Sequence, residues 1–361
     1  MRITLAIAFL LACIGASAQT VTPPPDTAEP ASTPSITTLR AITVTGVVPG
    51  PGLWKVSLGD HVMWILGVVP TLPAGIEWRS SQVARVIAGS QAVLESPDVK
   101  LKVDANWFSK LFLLLPVYHA QRNPDGKTLM DVLPPPLYAR WRVQKQRYFG
   151  SDRGIERYRP ILAASKLLKK ALNANGLHGN GAVDDKIAAL AKQYGIKTVQ
   201  PDTTLEIRHP HSAIKTFEAQ SPAGVACFSQ VLSVVEDRIP AIRARANAWA
   251  TGNIQALRTL PGRDYRSICK SAITGAGFAK SLGIDNLPER VKNRWLGAAE
   301  AALASNAQIF AVLPMHDVLD PSGYLAALQA RGYSVTAPDA NTDGMPAATA
   351  KASPATAASV Q

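Results

Sequence analysis

The sequence predicts an α/β domain whose core sheet is built from N-terminal and C-terminal segments, with a large helical insertion between them. Three observations carry that expectation. Strand, helix and strand patterns follow one another over residues 53–95. Apolar residues at three- and four-residue spacing then dominate a middle section of about 105–280. A helix, a buried strand, another helix and a last strand close the pattern by residue 337.

The chain opens with Met1-Arg2 and the apolar run "ITLAIAFLLACIG", too short to span a bilayer comfortably. "ASA" at Ala16 to Ala18 then fits a small-residue cleavage site, so residues 1–18 read as a secretory signal peptide cut after Ala18. "LLAC" raises a rival, lipid attachment at Cys13. Residues 19–40 are rich in Pro, Thr and Ser without apolar periodicity and read as a linker. The ordered domain is expected over 41–337, with a low-complexity tail at 338–361.

Within that domain, "LWKVSL" and "HVMWILGVV" flank Gly59-Asp60, a hairpin turn. "SSQVARVIAGS" is a short helix capped by Ser80 or Ser81, and "QAVLES" is a buried strand. In the insertion, "LYARWRVQKQRYFG", "RYRPILAASKLLKKALNAN" and "VDDKIAALAKQYG" carry helical periodicity. Pro240 opens a new helix or kinks a long one. "ERVKNRWLGAAEAALAS" is a helix and "QIFAVL" a strand of the buried type. "PSGYLAALQARG" is a helix with Pro321 near its start and Gly332 at its end, and "YSVTA" is the last strand.

Of the 361 residues, 47% are hydrophobic and 18% charged, yet the net charge is +12. Such a surface favours anionic partners. In a secreted protein these are envelope lipid or polysaccharide, not nucleic acid. Removal of Cys13 with the signal peptide leaves Cys227 and Cys269. An even, small count in an oxidising compartment points to a disulfide, worth roughly 3–4 kcal/mol in the loop-entropy model. The mature chain contains no transmembrane run.

Six histidines are available: His61, His119, His178, His209, His211 and His316. "HPH" at 209–211 places two imidazoles close together without a third ligand at a recognisable spacing. His316, in "MHDV", follows a strand and so stands where α/β sheets usually bind ligands, as a base or metal ligand or as a hydrogen-bonded turn residue. Glu95 ends the strand "QAVLE" and is either a functional carboxylate or a solvated strand end. From Leu137 to Lys170 ten Lys and Arg face two acidic residues, with aromatics interleaved. That stretch is either a solvated helix face whose aromatics enter the core or a docking surface for an anionic membrane or glycan. The chain has no GxSxG, HExxH, Walker or GxGxxG motif.

Several pieces together resemble the TraB/GumN family. "LWKVSLGDHVMWILGVVPTLPAGIEW" resembles its opening, where a hairpin leads into Gly-x-x-His. "AVLESP" resembles the following strand with its glutamate, and "RANAWATGNIQALRTLP" a Trp-x-x-Gly-Asp helix region with Asn253 in place of Asp. The run from "KNRWLGAAEAALAS" to "ARGYSV" resembles the C-terminal signature with a second Gly-x-x-His. The family is similar to Tiki-type proteases, in which paired Gly-x-x-His motifs and acidic residues are thought to hold a divalent metal such as manganese. That resemblance implies a water-activating site here.

Carried over residue by residue, the site is eroded. Gly67 is retained but Pro70 stands where the first histidine belongs. Glu95 matches the acidic position, and His316 is retained with Leu313 at the glycine position. Asn293 and Arg294 fall at the polar helix positions, and Glu206 is the nearest match for a central glutamate. A shifted ligand such as His61 or His119 could substitute for the missing imidazole, but no spacing favours either. The leading expectation is a catalytically eroded member that needs no cofactor and acts by binding an anionic envelope component or a protein. The alternative is a divalent-metal-dependent hydrolase or peptidase using Glu95 and His316.

Overall fold

The computed structural model describes residues 50–76, 78–103, 115–207, 210–219, 221–260, 269 and 286–338. The expected signal peptide (residues 1–18) and linker (19–40), residues 339–361 and His209 lie outside the described residues. Everything described belongs to one compact unit.

β1 (Leu53–Leu58) and β2 (His61–Val68) form the expected hairpin, with Leu58 opposite His61. Gly59 turns the chain at φ 58°, a left-handed conformation that costs glycine little. β3 (Thr71–Pro73), α1 (Ser81–Ala88), β4 (Ala92–Leu94) and β5 (Val99–Val103) follow. The insertion then runs through α2 (Leu129–Val132), α3 (Pro135–Phe149) and α4 (Pro160–Ala174). Next come β6 (Leu177–Gly179), α5 (Gly181–Gln193), β7 (Lys197–Val199) and β8 (Thr203–Ile207). α6 (Pro210–Ala219), α7 (Ser221–Ser233), α8 (Ile239–Ala250) and α9 (Ile254–Thr259) complete it. α10 (Leu287–Ser305), β9 (Gln308–Pro314), α11 (Met315–Leu319), α12 (Tyr324–Ala330) and β10 (Ser334–Thr336) return the chain to the core.

The main sheet has the order β10-β1-β2-β9-β4-β7. β2, β9, β4 and β7 run parallel, and β1 is antiparallel to both of its neighbours. The chain passes from β2 through α1 to β4 and leaves a gap that β9 fills more than 200 residues later. Ile309 to Leu313 are all buried, as a strand covered on both faces must be.

Five of the six strands come from the terminal segments, as expected. The insertion is not all helix, however. It supplies β7 to the sheet edge, and it pairs β6 with β3 and β8 with β5. Three-residue strands such as β6 and β7 are too short to show a period of two, which is why the sequence does not reveal them. At Pro240 a π-helical turn, Val234–Arg238, separates α7 from α8, so the proline opens a new helix with its missing N–H in the first turn.

Two apolar clusters hold the structure. One joins both faces of the sheet to α1, α5 and α10. The other lies within the insertion around Trp141, Leu167 and Phe228. Cys227 and Cys269 are joined by a disulfide with Cα atoms 5.0 Å apart, at the edge of this second cluster. Among the described residues no helix is long and apolar enough to cross a membrane.

Candidate functional site

In the parallel register of β2 and β9, Gly67 lies opposite Leu313 and Val68 opposite Pro314. Three residues beyond the Gly67–Leu313 pair, the two strands lead to Pro70 and His316. The two motif positions therefore leave neighbouring strands at matched places. Both line a cleft of about 640 Å³, together with Glu95 from the end of β4. The cleft sits outside the carboxyl ends of parallel strands, where β9 has been inserted between β2 and β4, the usual ligand crevice of an open α/β sheet.

Two buried tryptophans hold the strand ends that carry these residues. Trp249 Nε1 donates to the Gly67 carbonyl at 2.6 Å, and Trp295 Nε1 donates to the Glu95 carbonyl at 3.0 Å. Gly67 has no unusual φ, but it sits in a tight place where any larger residue would make the end of the Met315 side chain shift. A Cβ there would stand 2.8 Å from Met315 Cε and 3.4 Å from the Trp54 ring. Glu95 N–H also bonds to the Val199 carbonyl, which fixes the β4 end against β7. His316 Nε2 lies 3.2 Å from Asp317 Oδ1, and both side chains are partly buried.

The far wall of the cleft is α5, which contributes Asp184 and Asp185 from its first turns; Asp98 enters from the loop after β4. These carboxylates were not singled out by sequence reasoning. Asp184 keeps solvent access by area, yet the cleft walls crowd it. That crowding, with Asp185 and then Glu95 nearby, pushes its carboxyl up to about 6. Asn180 Nδ2 donates to Asp184 Oδ2 at 3.2 Å. On a chain of net charge +12 the cleft is thus an acidic exception.

The raised pKa has a testable consequence. The folded chain holds the Asp184 proton more tightly than the unfolded chain does. This group therefore favours folding at low pH, and that contribution is lost as pH rises through the usual carboxylate range to about 6. Asp184→Asn is expected to raise the melting temperature at pH 7.5 and leave it nearly unchanged at pH 3.5. Solvent screening keeps the gain below about 1 kcal/mol. Thermal denaturation at the two pH values reads this. A variant less stable at pH 7.5 would show that the N-terminal dipole of α5 outweighs the crowding.

The remaining sequence candidates fall elsewhere. Asn293 and Arg294 are exposed on α10 and do not line the cleft; their neighbour Trp295 is the residue of that segment that touches the site. Glu206 pairs with Lys102 across β5 and β8, away from the cleft. His61 stands at the opposite end of β2, where its Nδ1 lies 2.8 Å from the Asn306 carbonyl. His119 stacks edge-on against Tyr118 in the insertion, His178 pairs with Leu72 in the β3–β6 ladder, and His211 is exposed on α6. Asn253, which stands where the motif has Asp, accepts from Ala256 N–H at 2.9 Å and caps α9.

The TraB/PrgY/gumN family model matches residues 52–337. The chain belongs to the TraB/PrgY/gumN family. No curated protein and no solved structure matches it. The matched span starts just before β1 and ends just after β10, so the family match and the folded α/β domain coincide.

The resemblance to Tiki-type members implies a divalent metal, and the donors in the cleft can be tested against it. Pro70 offers no ligand atom. Among the described residues no group of three or more His, Cys, Asp and Glu side chains is placed to hold an ion. Among the described residues the donor set therefore does not fit a metal centre of the kind the resemblance implies.

Proposed function

We propose that this TraB/PrgY/gumN protein is a catalytically eroded family member of the cell envelope that acts by binding, not by metal-assisted hydrolysis. The observation that carries the reading is that Pro70 and His316 stand at the same offset beyond the Gly67–Leu313 pair and line one cleft. The fold delivers both positions to the cleft, and one of them has no side-chain ligand. Trp249 and Trp295 hold the backbone of the strand ends through packing and hydrogen bonds that serve the fold whether or not chemistry survives. A periplasmic or secreted location is part of the proposal. It rests on the signal peptide in the sequence and on the disulfide, which an oxidising compartment supports.

Elemental analysis of protein purified without chelator tests the reading. The expected result is far less than one divalent ion per chain, with no change in His316→Ala. Stoichiometric manganese or zinc that disappears in His316→Ala would establish the hydrolase reading instead.

The charge of the cleft bears on the partner. Glu95, Asp98, Asp184 and Asp185 would repel an anion, so an acidic envelope component has to bind somewhere else on this basic protein.

A further inference from the structure

Within the insertion a second concavity has the opposite charge. A groove of about 470 Å³ lies between α4 and the residues after α3, lined by Arg122, Lys166, Lys169 and Lys170 with Phe149 and Tyr158. Its acidic member, Asp152, already accepts the Gly154 N–H at 2.7 Å. Three other basic residues of the insertion are paired with carboxylates: Arg140 with Glu236, Lys145 with Glu156 and Arg159 with Glu218. Three of the four groove cations, Arg122, Lys166 and Lys170, lie over aromatic faces. Arg122 Cζ lies 4.6 Å from the Tyr118 ring centroid and 5.3 Å from that of Tyr158. Lys166 Nζ is 4.5 Å over Tyr158, and Lys170 Nζ is 4.7 Å over Phe149. A π face orients a cation without cancelling its charge. Arg122 Nε is buried and finds no acceptor among the described residues.

The backbone under the groove is braced. Arg122 and Tyr158 form a β-bridge, and Asn123 Nδ2 donates to the Tyr158 carbonyl at 3.1 Å. Arg159 Nε donates to the Ala120 carbonyl at 2.7 Å. Arg122 and the Tyr158 ring are therefore pre-placed, which lowers the ordering cost of binding at that end of the groove.

Tyr118, the ring that stacks on Arg122 at the groove, is exposed, and so are the large apolar side chains Leu115 and Val117 in the same short helical stretch. In sequence they end the apolar run "WFSKLFLLLPVY" at 107–118. Exposed apolar residues next to a basic pocket are the pattern of a protein that rests on a lipid surface.

We propose that this groove is a receptor for a phosphomonoester lipid headgroup, with Lys166, Lys169, Lys170 and Arg122 around the phosphate and Leu115 and Val117 against the acyl boundary. A phosphomonoester presents three oxygens and close to two charges, matching several separate cations better than a single carboxylate does. The inference rests on the envelope-binding reading and gives it a site and a ligand class.

Co-sedimentation with phosphatidylcholine vesicles with and without phosphatidic acid tests it. The wild type is expected to bind the phosphatidic acid vesicles at least about tenfold better, with the preference falling at high salt. Lys166→Gln with Lys169→Gln and Lys170→Gln should remove that preference. Lys186→Gln with Lys192→Gln and Lys197→Gln makes the same change in net charge away from the groove and should retain it. Leu115→Ser with Val117→Ser should weaken vesicle binding while leaving binding of soluble glycerol phosphate unchanged. Equal loss in both lysine triples would reduce the effect to net charge and overturn the groove. Binding of glycerol phosphate without vesicle binding would overturn the lipid source. Vesicle binding unaffected by the groove triple would overturn the groove and leave envelope binding intact. The metal assay speaks only to the cleft, so the two proposals fail separately. Circular dichroism of each variant checks folding.

Discussion

Trp249→Ala is expected to destabilise the protein by about 3–5 kcal/mol, the usual cost of emptying a buried tryptophan site. The ring is fully buried in the main cluster and tilts against Trp78 at 5.6 Å between centroids. Its loss also removes the donor to the Gly67 carbonyl. Trp249→Phe separates the two effects. It keeps most of the apolar volume but loses the N–H and part of the second ring, so its expected cost is about 1–3 kcal/mol, with the carbonyl left without its partner as the main contribution. Urea denaturation followed by far-ultraviolet circular dichroism checks both values. Equal costs for Phe and Ala would mean that the hydrogen bond, not the packing, carries the effect. A cost below about 1 kcal/mol for Ala would refute the placement of this ring.

The same contact explains why one part of the site is legible in sequence and another is not. Gly67, Pro70, Glu95 and His316 can be found because each sits at a fixed offset from a strand end, and strand ends are marked by the change from apolar run to turn. The hairpin, β9 and α10 are legible for the related reason that their periods extend over six residues or more. The Trp249–Gly67 contact spans 182 positions and has no local signature. Asp184 and Asp185 are hidden differently. Two acidic residues near the start of a helix already have a local explanation in the helix dipole, so nothing in "NGAVDDK" marks them as the wall of a cleft. Asn293 and Arg294 match the motif by position but lie on the exposed face of α10, while the buried face of that helix sends Trp295 to Glu95.

The basic stretch 137–170 divides along similar lines. Trp141 enters the second cluster, stacks on Phe228 at 5.4 Å and donates to Glu156, as a core aromatic would. Phe149 and Tyr158 stay half-buried and carry cations. Composition alone gives both groups the same appearance. What separates them is Arg122, which lies outside the stretch and reaches Tyr158 only because the chain is bridged there.

Reduction of the Cys227–Cys269 bond should have the second large effect, a loss of about 3–4 kcal/mol in the chain-entropy account for a separation of 42 residues. Cys227 is buried on α7 beside Phe228, and α7 packs along α4, the helix that carries Lys166, Lys169 and Lys170. The main sheet draws its core from other residues, so the loss should fall mainly on the insertion cluster. Cys227→Ser with Cys269→Ser is therefore expected to lower the urea midpoint and to accelerate hydrogen exchange in α4 and α7 more than in β2 and β9. Uniform acceleration would show that the two clusters unfold as one unit and that the bond stabilises the whole domain. Unchanged stability, with free thiols found in the wild type by mass spectrometry of a non-reduced digest, would refute the bond itself. If the bond holds α7 against α4, the same double variant should also weaken vesicle binding through the groove without altering any of its cations.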